Sequence, residues 1–287
     1  MLNSWVQDAA LKTLLVSWSN LIGVDLLRLG TTADSDEIKD TANAQPLIVA
    51  TSLLGLHALG SIKCSVTTGH SVGEITAAAI SGAISEADAL TLVRARGIEM
   101  AKAAIAGSTG MSAILGGDRS EVLSLLALLN LVPANDNGAG QIVAAGELFA
   151  LAQLAETPPT GARIRALAVA GAFHTAYMQP AAAPFNALAA TLSTMPVLIP
   201  FISNGNGAVV TDGQKVLAGI VNQISNQVRW DLCMEALKAQ GVTGVIELPP
   251  AGSLVGLIKR AASEIETFAL KSPNDLIAAN EFAERHK

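Results

Sequence analysis

The sequence predicts an α/β fold, a mostly parallel sheet covered by helices on both faces with a smaller unit inserted into it. Three observations carry this. Strand-like apolar runs alternate with helix-like stretches in the first and last thirds of the chain, as in a parallel sheet closed by crossover helices. Gly69-His70-Ser71-Val72-Gly73 lies between the end of an apolar run, Val66-Thr67-Thr68, and a helix-like start, Glu74-Ile75-Thr76-Ala77-Ala78-Ala79. The stretch from Gly107 to Ala170 changes texture and reads β-α-β-β-α-β.

In order along the chain, Leu11, Leu14, Leu15, Trp18, Leu21 and Ile22 recur at helical spacing, and Gly30-Thr31-Thr32-Ala33-Asp34 breaks the pattern. A second helix starts near Asp36 and is reset by Pro46, and Leu47 to Leu59 is apolar and helical. Val66 to Thr68 is a strand, and the helix after it stops at Gly82. Ser85-Glu86-Ala87-Asp88 resembles an N-cap with acids in the first turn, opening a helix to about Ala104 that carries Arg94 and Arg96. Within the inserted unit, strands are expected at 111–115, 131–134, 141–145 and 163–169, with helices at 120–129 and 147–155. That order is ferredoxin-like, and its two ends return to one neighbourhood, as an insertion requires. Beyond it come a helix at 181–192, a strand at 197–203, helices at 220–226 and 231–239, a strand at 245–248 and a helix at 254–262. The last dozen residues are polar and expected to fray. The expected units are therefore a large core, residues 1–107 and 171–287, and a small subdomain, residues 108–170.

Composition narrows the function. The chain has 287 residues, 51% hydrophobic and 15% charged, enough to bury a sizeable core. Net charge is −6 with no basic block, which argues against nucleic acid as a ligand. Cys64 and Cys233 are far apart, lack metal-ligand spacing, and read as small buried hydrophobes of a reducing compartment. Residues 166–211 carry no Asp, Glu, Lys or Arg, but Pro180, Pro184, Pro196 and Pro200 interrupt them, so a buried interior fits better than a membrane span. No signal peptide is evident, and the expectation is a cytoplasmic protein.

A strand, a G-x-S-x-G turn and a helix make a nucleophile elbow, the signature of a hydrolase-like core. The serine is held at the strand end beside the amides of a helix N-terminus, an arrangement suited to acyl transfer. Ser71 then needs a base. His286 lies in the tail, and His57 on an apolar helix reads as a core histidine. His70 adjoins the serine, so its side chain points away from the hydroxyl and could line the pocket. His174, in Gly171-Ala172-Phe173-His174-Thr175, follows a strand and opens a loop, the usual place for a catalytic side chain in such a sheet. Asp118 and Asp136 are the available third members of a triad but fall in the small subdomain; a backbone carbonyl can orient the imidazole instead. Arg94 and Arg96 are each flanked by apolar residues at helical spacing. Either is a solvated side chain or an arginine that grips a substrate carboxylate, and spacing leaves the choice open.

With these residues in hand, the chain resembles the malonyl-CoA:acyl-carrier-protein transacylases of fatty-acid synthesis, in their actinobacterial form. The likeness runs through Thr41 to Val49 with Gln45 and Pro46, Gly69 to Glu74, Arg94-Ala95-Arg96-Gly97 and Met111 to Ile114. It continues through Gly140 to Gly146, Gly171 to His174, Ile202-Ser203-Asn204, Gln227 to Trp230 and Pro250 to Leu254. The resemblance implies that Ser71 carries the malonyl ester, His174 is general base and then acid, and Arg96, directly before glycine, binds the malonyl carboxylate. It also implies that the Val72 amide is one oxyanion donor, that His70 belongs to the substrate site, and that a backbone carbonyl at Arg229 orients His174. Ala172-Phe173 and Val72 resemble the malonyl-type rather than the methylmalonyl-type pattern.

The family begins with a strand and a G-Q-G turn whose glutamine supplies a second oxyanion amide, and Gly-Gln-Gly does not occur in this sequence. The expectation drawn from that is a longer natural protein, with Met1 an internal methionine. The implied reaction is ping-pong, with a CoA thioester and phosphopantetheine-carrying acyl carrier protein as substrates, no bound cofactor or metal, and a monomeric enzyme. A rim of Lys102, Arg163, Arg165 and Lys259 is expected to meet the acidic carrier. The alternatives are an N-terminally truncated, weakened or inactive homologue, and a serine hydrolase or thioesterase.

Overall fold

The chain enters through helices, and the first break comes earlier than Gly30. A computed structural model describes residues 1–105, 107–169 and 171–287, so Ala106 and Ala170, the latter closing the expected subdomain, lie outside the described residues. Helix α1 (Ala9–Ile22) is capped by Asp8, whose carboxylate accepts from the Ala10 and Leu11 amides, and ends at Gly23 with φ 64°. Then follow α2 (Leu26–Thr31), α3 (Ser35–Lys39) and α4 (Thr41–Leu59).

Pro46 does not reset α4 as expected; it sits inside the helix. A proline there cannot donate to the carbonyl four residues back, that of Ala42. Arg94 Nη1 donates to the Ala42 carbonyl instead, at 2.8 Å. Half-buried Arg94 thus makes the proline tolerable, which gives it a structural task. Arg94→Ala is expected to lower stability by about 1–3 kcal/mol, the range for a partly buried polar group losing its partner, read as a lower urea midpoint at unchanged m-value.

Strand β1 (Thr67–Thr68) feeds α5 (Gly73–Ile80), and α6 (Glu86–Ile105) follows with Ser85 as its cap. Helix α4 packs along α6, where a Cβ on Gly97 would come within 2.9 Å of the Thr41 carbonyl oxygen. Next come β2 (Thr109–Gly116), α7 (Arg119–Leu128), β3 (Val132–Asp136), β4 (Gln141–Glu147), α8 (Leu148–Glu156) and β5 (Ala162–Ala166). The rest comprises α9 (Gln179–Ala189), β6 (Phe201–Ile202), β7 (Val209–Val210), α10 (Gly213–Gln223), β8 (Val228–Arg229), α11 (Trp230–Ala239), β9 (Gly244–Glu247), α12 (Ser253–Ala261), β10 (Glu266–Ala269) and α13 (Leu276–Arg285).

The core ladders β1·β6 and β9·β10 are parallel, and β7 joins β6 antiparallel. Strand β6 is shorter than the apolar run 197–203. Pro200 has no N–H to give a ladder, and the Leu198 and Ile199 amides donate to the Ser81 carbonyl. The middle of the chain contributes four strands to a five-stranded sheet of order β5-β2-β4-β3-β8, antiparallel except at β3·β8.

Alternation assigns the two faces of that sheet. Ile114, Ile142, Ala144 and Ile164 pack under α7 and α8. Met111, Ala134, Val143 and Ala145 pack against Ala172 and Phe173, the residues that lead into His174. The sheet therefore presses directly on the segment that delivers the histidine.

Three expectations need correction. The C-terminal residues are not frayed: Ala279 and Phe282 of α13 are buried, and the Phe282 ring lies 5.7 Å from Phe268. His57 is no core histidine; it is exposed and bonds Glu86 at 3.0 Å. Cys64 is exposed, and only Cys233 is buried. Among the described residues, no helix is long and apolar enough to cross a membrane.

Candidate active site

The elbow is as sharp as its composition demands. Ser71 adopts φ 54°, a left-handed conformation that a non-glycine residue holds only when its surroundings fix it. A Cβ on Gly69 would lie 2.1 Å from the carbonyl of Gly73, so no side chain fits there. The Gly73 amide donates to the His70 carbonyl and the Glu74 amide to the Ser71 carbonyl, both at 3.0 Å, closing the turn onto α5. The Ser71 amide donates to Asn204 Oδ1 at 2.8 Å. Asn204, fully buried just past β6, is thus the strut that fixes the elbow from the neighbouring strand.

Ser71 Oγ lies 2.7 Å from His174 Nε2. His174 is also left-handed, at φ 62°, and almost fully buried. Its Nδ1 lies 3.1 Å from the Gln223 carbonyl. Gln223 Nε2 also lies 3.0 Å from Nδ1; with the proton on Nδ1, donated to the carbonyl, Nε2 presents its lone pair to the serine hydroxyl. Burial, and then the charge of Arg96, push the imidazole down to about 3, against the pull of that carbonyl. The base is neutral at physiological pH.

This geometry corrects the expectation at Arg229. Its carbonyl does not orient His174. Arg229 lies in β8, its amide donates to the Asn204 carbonyl, and its guanidinium pairs with Asp231. The orienting carbonyl belongs to Gln223 because α10 spans 213–223 rather than 220–226. The last residues of a helix have carbonyls with no intrahelical partner, and Gln223 is the last.

Arg96 is 2% exposed yet has no carboxylate within salt-bridge distance among the described residues. Nη1 donates to Gln45 Oε1 at 2.6 Å. Nη2 reaches Ser71 Oγ at 3.4 Å and Gln223 Oε1 at 3.5 Å, both long. Burial lowers the guanidinium to about 10, so it stays charged. A buried cation held by neutral amides, one nitrogen beside the serine oxygen, attracts an anionic group on whatever the serine attacks.

The other predicted residues sit around this pair. His70 turns away from Ser71 and meets Asn137 Oδ1 at 2.9 Å, with its ring edge-on to Trp230. Asn135 Oδ1 is buried nearby without a partner. The Val72 amide, at the N-terminal end of α5, makes no hydrogen bond among the described residues. Asn204 and Asn137 escaped residue-by-residue reading. A sequence signal existed for Asn204, in the Ile202-Ser203-Asn204 stretch, but nothing in that stretch says which atom it holds.

Comparison with known proteins gives the family. The family described as "Acyl transferase domain" matches residues 10–275. The chain is 50% identical over 281 residues to the malonyl CoA-acyl carrier protein transacylase of Mycobacterium tuberculosis (strain ATCC 25618 / H37Rv), covering 96% of this chain and 93% of that one. It superposes on the crystal structure of MCAT from Mycobacterium tuberculosis with a TM-score of 0.93 at 49% identity, covering 97% of this chain and 94% of that one. A malonyl-transacylase solved in complex with its type II PKS acyl-carrier protein gives a TM-score of 0.92 at 28% identity, covering 98% and 94%.

Proposed function

The chain belongs to the malonyl CoA-acyl carrier protein transacylases of the acyl transferase family, and we propose that Ser71, His174 and Arg96 are the residues with which it performs that transfer. One observation carries the assignment. A single oxygen, Ser71 Oγ, faces the His174 imidazole at 2.7 Å and, at 3.4 Å, a buried guanidinium with no salt bridge among the described residues.

The reaction follows from those positions. The malonyl carboxylate pairs with Arg96, bringing the thioester carbonyl to Ser71. The serine hydroxyl gives its proton to His174 Nε2 as Oγ bonds to the carbonyl carbon, and the Gln223 carbonyl steadies the imidazolium that forms. The tetrahedral oxyanion accepts from the free Val72 N–H. The C–S bond then breaks, His174 returns the proton to the CoA sulfur, and malonyl-Ser71 remains. The phosphopantetheine thiol of acyl carrier protein reverses the sequence: His174 takes the thiol proton and returns it to Ser71. His70, bonded to Asn137 beside the elbow, is proposed to line the substrate site.

The carboxylate also acts on the base. Arg96 is the second cause of the depressed His174, so an anion that neutralises Arg96 relieves it. A neutral acyl group leaves the guanidinium unpaired and the imidazole a weaker base, which favours malonyl over acetyl twice over.

The units expected from sequence, 1–107 with 171–287 and 108–170, serve here as the two walls of the acyl site, and the enzyme is proposed to work as a cytoplasmic monomer in fatty-acid synthesis with no bound cofactor. Arg163 and Arg165 are exposed on the edge strand β5, and Arg165 lies opposite Ala113 on the sheet face that meets Ala172 and Phe173. Of the expected rim, these two and exposed Lys259 make no salt bridge among the described residues, whereas Lys102 pairs with Glu99. Arg163→Glu with Arg165→Glu is expected to lower kcat/KM for acyl carrier protein about tenfold while malonyl-CoA loading is unchanged, and the difference should shrink as salt is added.

Intact-protein mass spectrometry tests the assignment. Malonyl-CoA should add one malonyl group, and holo acyl carrier protein should remove it onto itself. Loss of the adduct to free malonate without the carrier would favour a hydrolase, and absence of any adduct a weakened or inactive homologue.

A further inference from the structure

Glu74 is the buried titratable group that the mechanism above leaves unused. It opens α5 three residues after the nucleophile and is 1% exposed. Its Oε1 accepts the Asn204 amide at 2.7 Å, and Asn204 Oδ1 in turn holds the Ser71 amide at 2.8 Å. Glu74 and Arg96 also lie in each other's field, each favouring the other's charge. Arg96 and Glu74 are therefore a buried cation and a buried carboxylate within electrostatic reach of each other, with no direct ion pair among the described residues. A second anion must join them when the substrate carboxylate arrives.

We propose that Glu74 is a positioning residue that exchanges its charge with the substrate: as the malonyl carboxylate settles on Arg96, Glu74 takes a proton from solvent, so loading of the dicarboxylic acyl group consumes one proton. The proposal rests on Arg96 being the carboxylate site. Its balance is simple. The site keeps one negative charge beside Arg96 before and after loading; the proton goes to Glu74 Oε2, and Oε1 remains the acceptor for Asn204. The strut under Ser71 is therefore the same in both states. Two carboxylates in one enclosed site beside a single cation do not both stay ionised.

Among the titratable groups around the elbow, Glu74 is the one lifted toward neutrality. Burial pushes it up to about 7. Arg96, from α6, is lowered only to about 10 and His174 is held at about 3, so neither changes charge between pH 6 and 9. Burial holds the His70 imidazole, on the elbow, below its ordinary range, which favours its neutral form. On α11, Cys233 is pushed up to about 12 by burial and remains a thiol, and Asp231 is tied to Arg229. The sign follows. Below pH 6 Glu74 is already protonated, and loading takes up nothing. Near pH 8 it is ionised in the empty site, and the arriving anion raises it further, so uptake approaches one proton.

Calorimetric titration of the full chain with malonyl-CoA, in two buffers of different ionisation enthalpy at pH 5.5 and pH 8, counts the protons, and intact mass confirms loading in the same samples. The expected result is uptake near zero at pH 5.5 and between one half and one at pH 8. Glu74→Gln keeps an acceptor for Asn204 and should load malonyl with no uptake at either pH. Across pH 7 to 9, the wild-type KM for malonyl-CoA should rise severalfold with kcat nearly constant, and the Glu74→Gln KM should stay flat. Loading at pH 8 without uptake, or the same uptake in Glu74→Gln, overturns the proposal and leaves the Arg96 assignment standing. Failure of the wild type to load overturns both. If Glu74→Gln fails to fold, Glu74→Asp serves: it keeps the charge, and its uptake near pH 8 must persist.

Discussion

Ser71→Ala is expected to form no malonyl-enzyme at all. The malonyl group has no other acceptor in the site, because His174 Nε2 faces the serine oxygen and Arg96 stays protonated. Transfer to acyl carrier protein should fall by about six orders of magnitude, the scale seen when a serine nucleophile is removed from a unit that acts as a whole. The substitution removes one oxygen from a residue held through its backbone by Asn204 and the α5 turn, so the fold should be retained. His174→Ala should cost nearly as much, and the double variant little more than either alone, since the two groups act as one. Stopped reactions analysed by intact mass, with transfer followed by gel shift of the carrier, check each statement. A malonyl adduct on Ser71→Ala would place the nucleophile elsewhere.

What made this pair legible is that both members announce themselves locally. The turn at Ser71 needs its glycines within five residues, and His174 stands at the exit of a strand-like run. The rest of the site depends on where distant elements meet. Gln223 could not be chosen as the orienting carbonyl, because a helix read over 220–226 puts that carbonyl inside it; the observed end of α10 at Gln223 leaves the carbonyl within reach of His174. Asn204 acts because β6 pairs in parallel beside β1, and alternation of strands and helices does not state which strands are neighbours. The choice between Arg94 and Arg96 had the same origin. Both lie on α6, and what separates them is that Arg94 reaches the Ala42 carbonyl left open by Pro46, whereas Arg96 points at Ser71. The C-terminal helix was hidden by its polar composition, although Leu276, Ala279 and Phe282 recur at helical spacing and two of them are buried. Strands β7 and β10 escaped for a different reason: two and four residues are too short for a period to register.

Arg96→Ala is expected to convert a selective transferase into a poor and unselective one. The wild-type guanidinium is buried beside neutral amides and needs a carboxylate; without it, the malonyl carboxylate enters the same enclosed space unpaired. Breaking a buried pair by removing one partner costs about 3–5 kcal/mol, which corresponds to a fall of about 10²–10⁴ in kcat/KM for malonyl-CoA. Acetyl-CoA carries no carboxylate to strand, and it gains from the loss of a cation that depresses His174. Its kcat/KM should therefore hold or rise, and the malonyl-to-acetyl preference should collapse by the same factor. Arg96→Lys tests geometry rather than charge. An ammonium cannot offer two parallel donors and sits on a shorter stem, so it should recover only part of the loss. Competition between malonyl-CoA and acetyl-CoA for Ser71, read as the ratio of the two adduct masses, compares the wild type with both variants. A ratio unchanged by Arg96→Ala would show that selectivity is set elsewhere in the site.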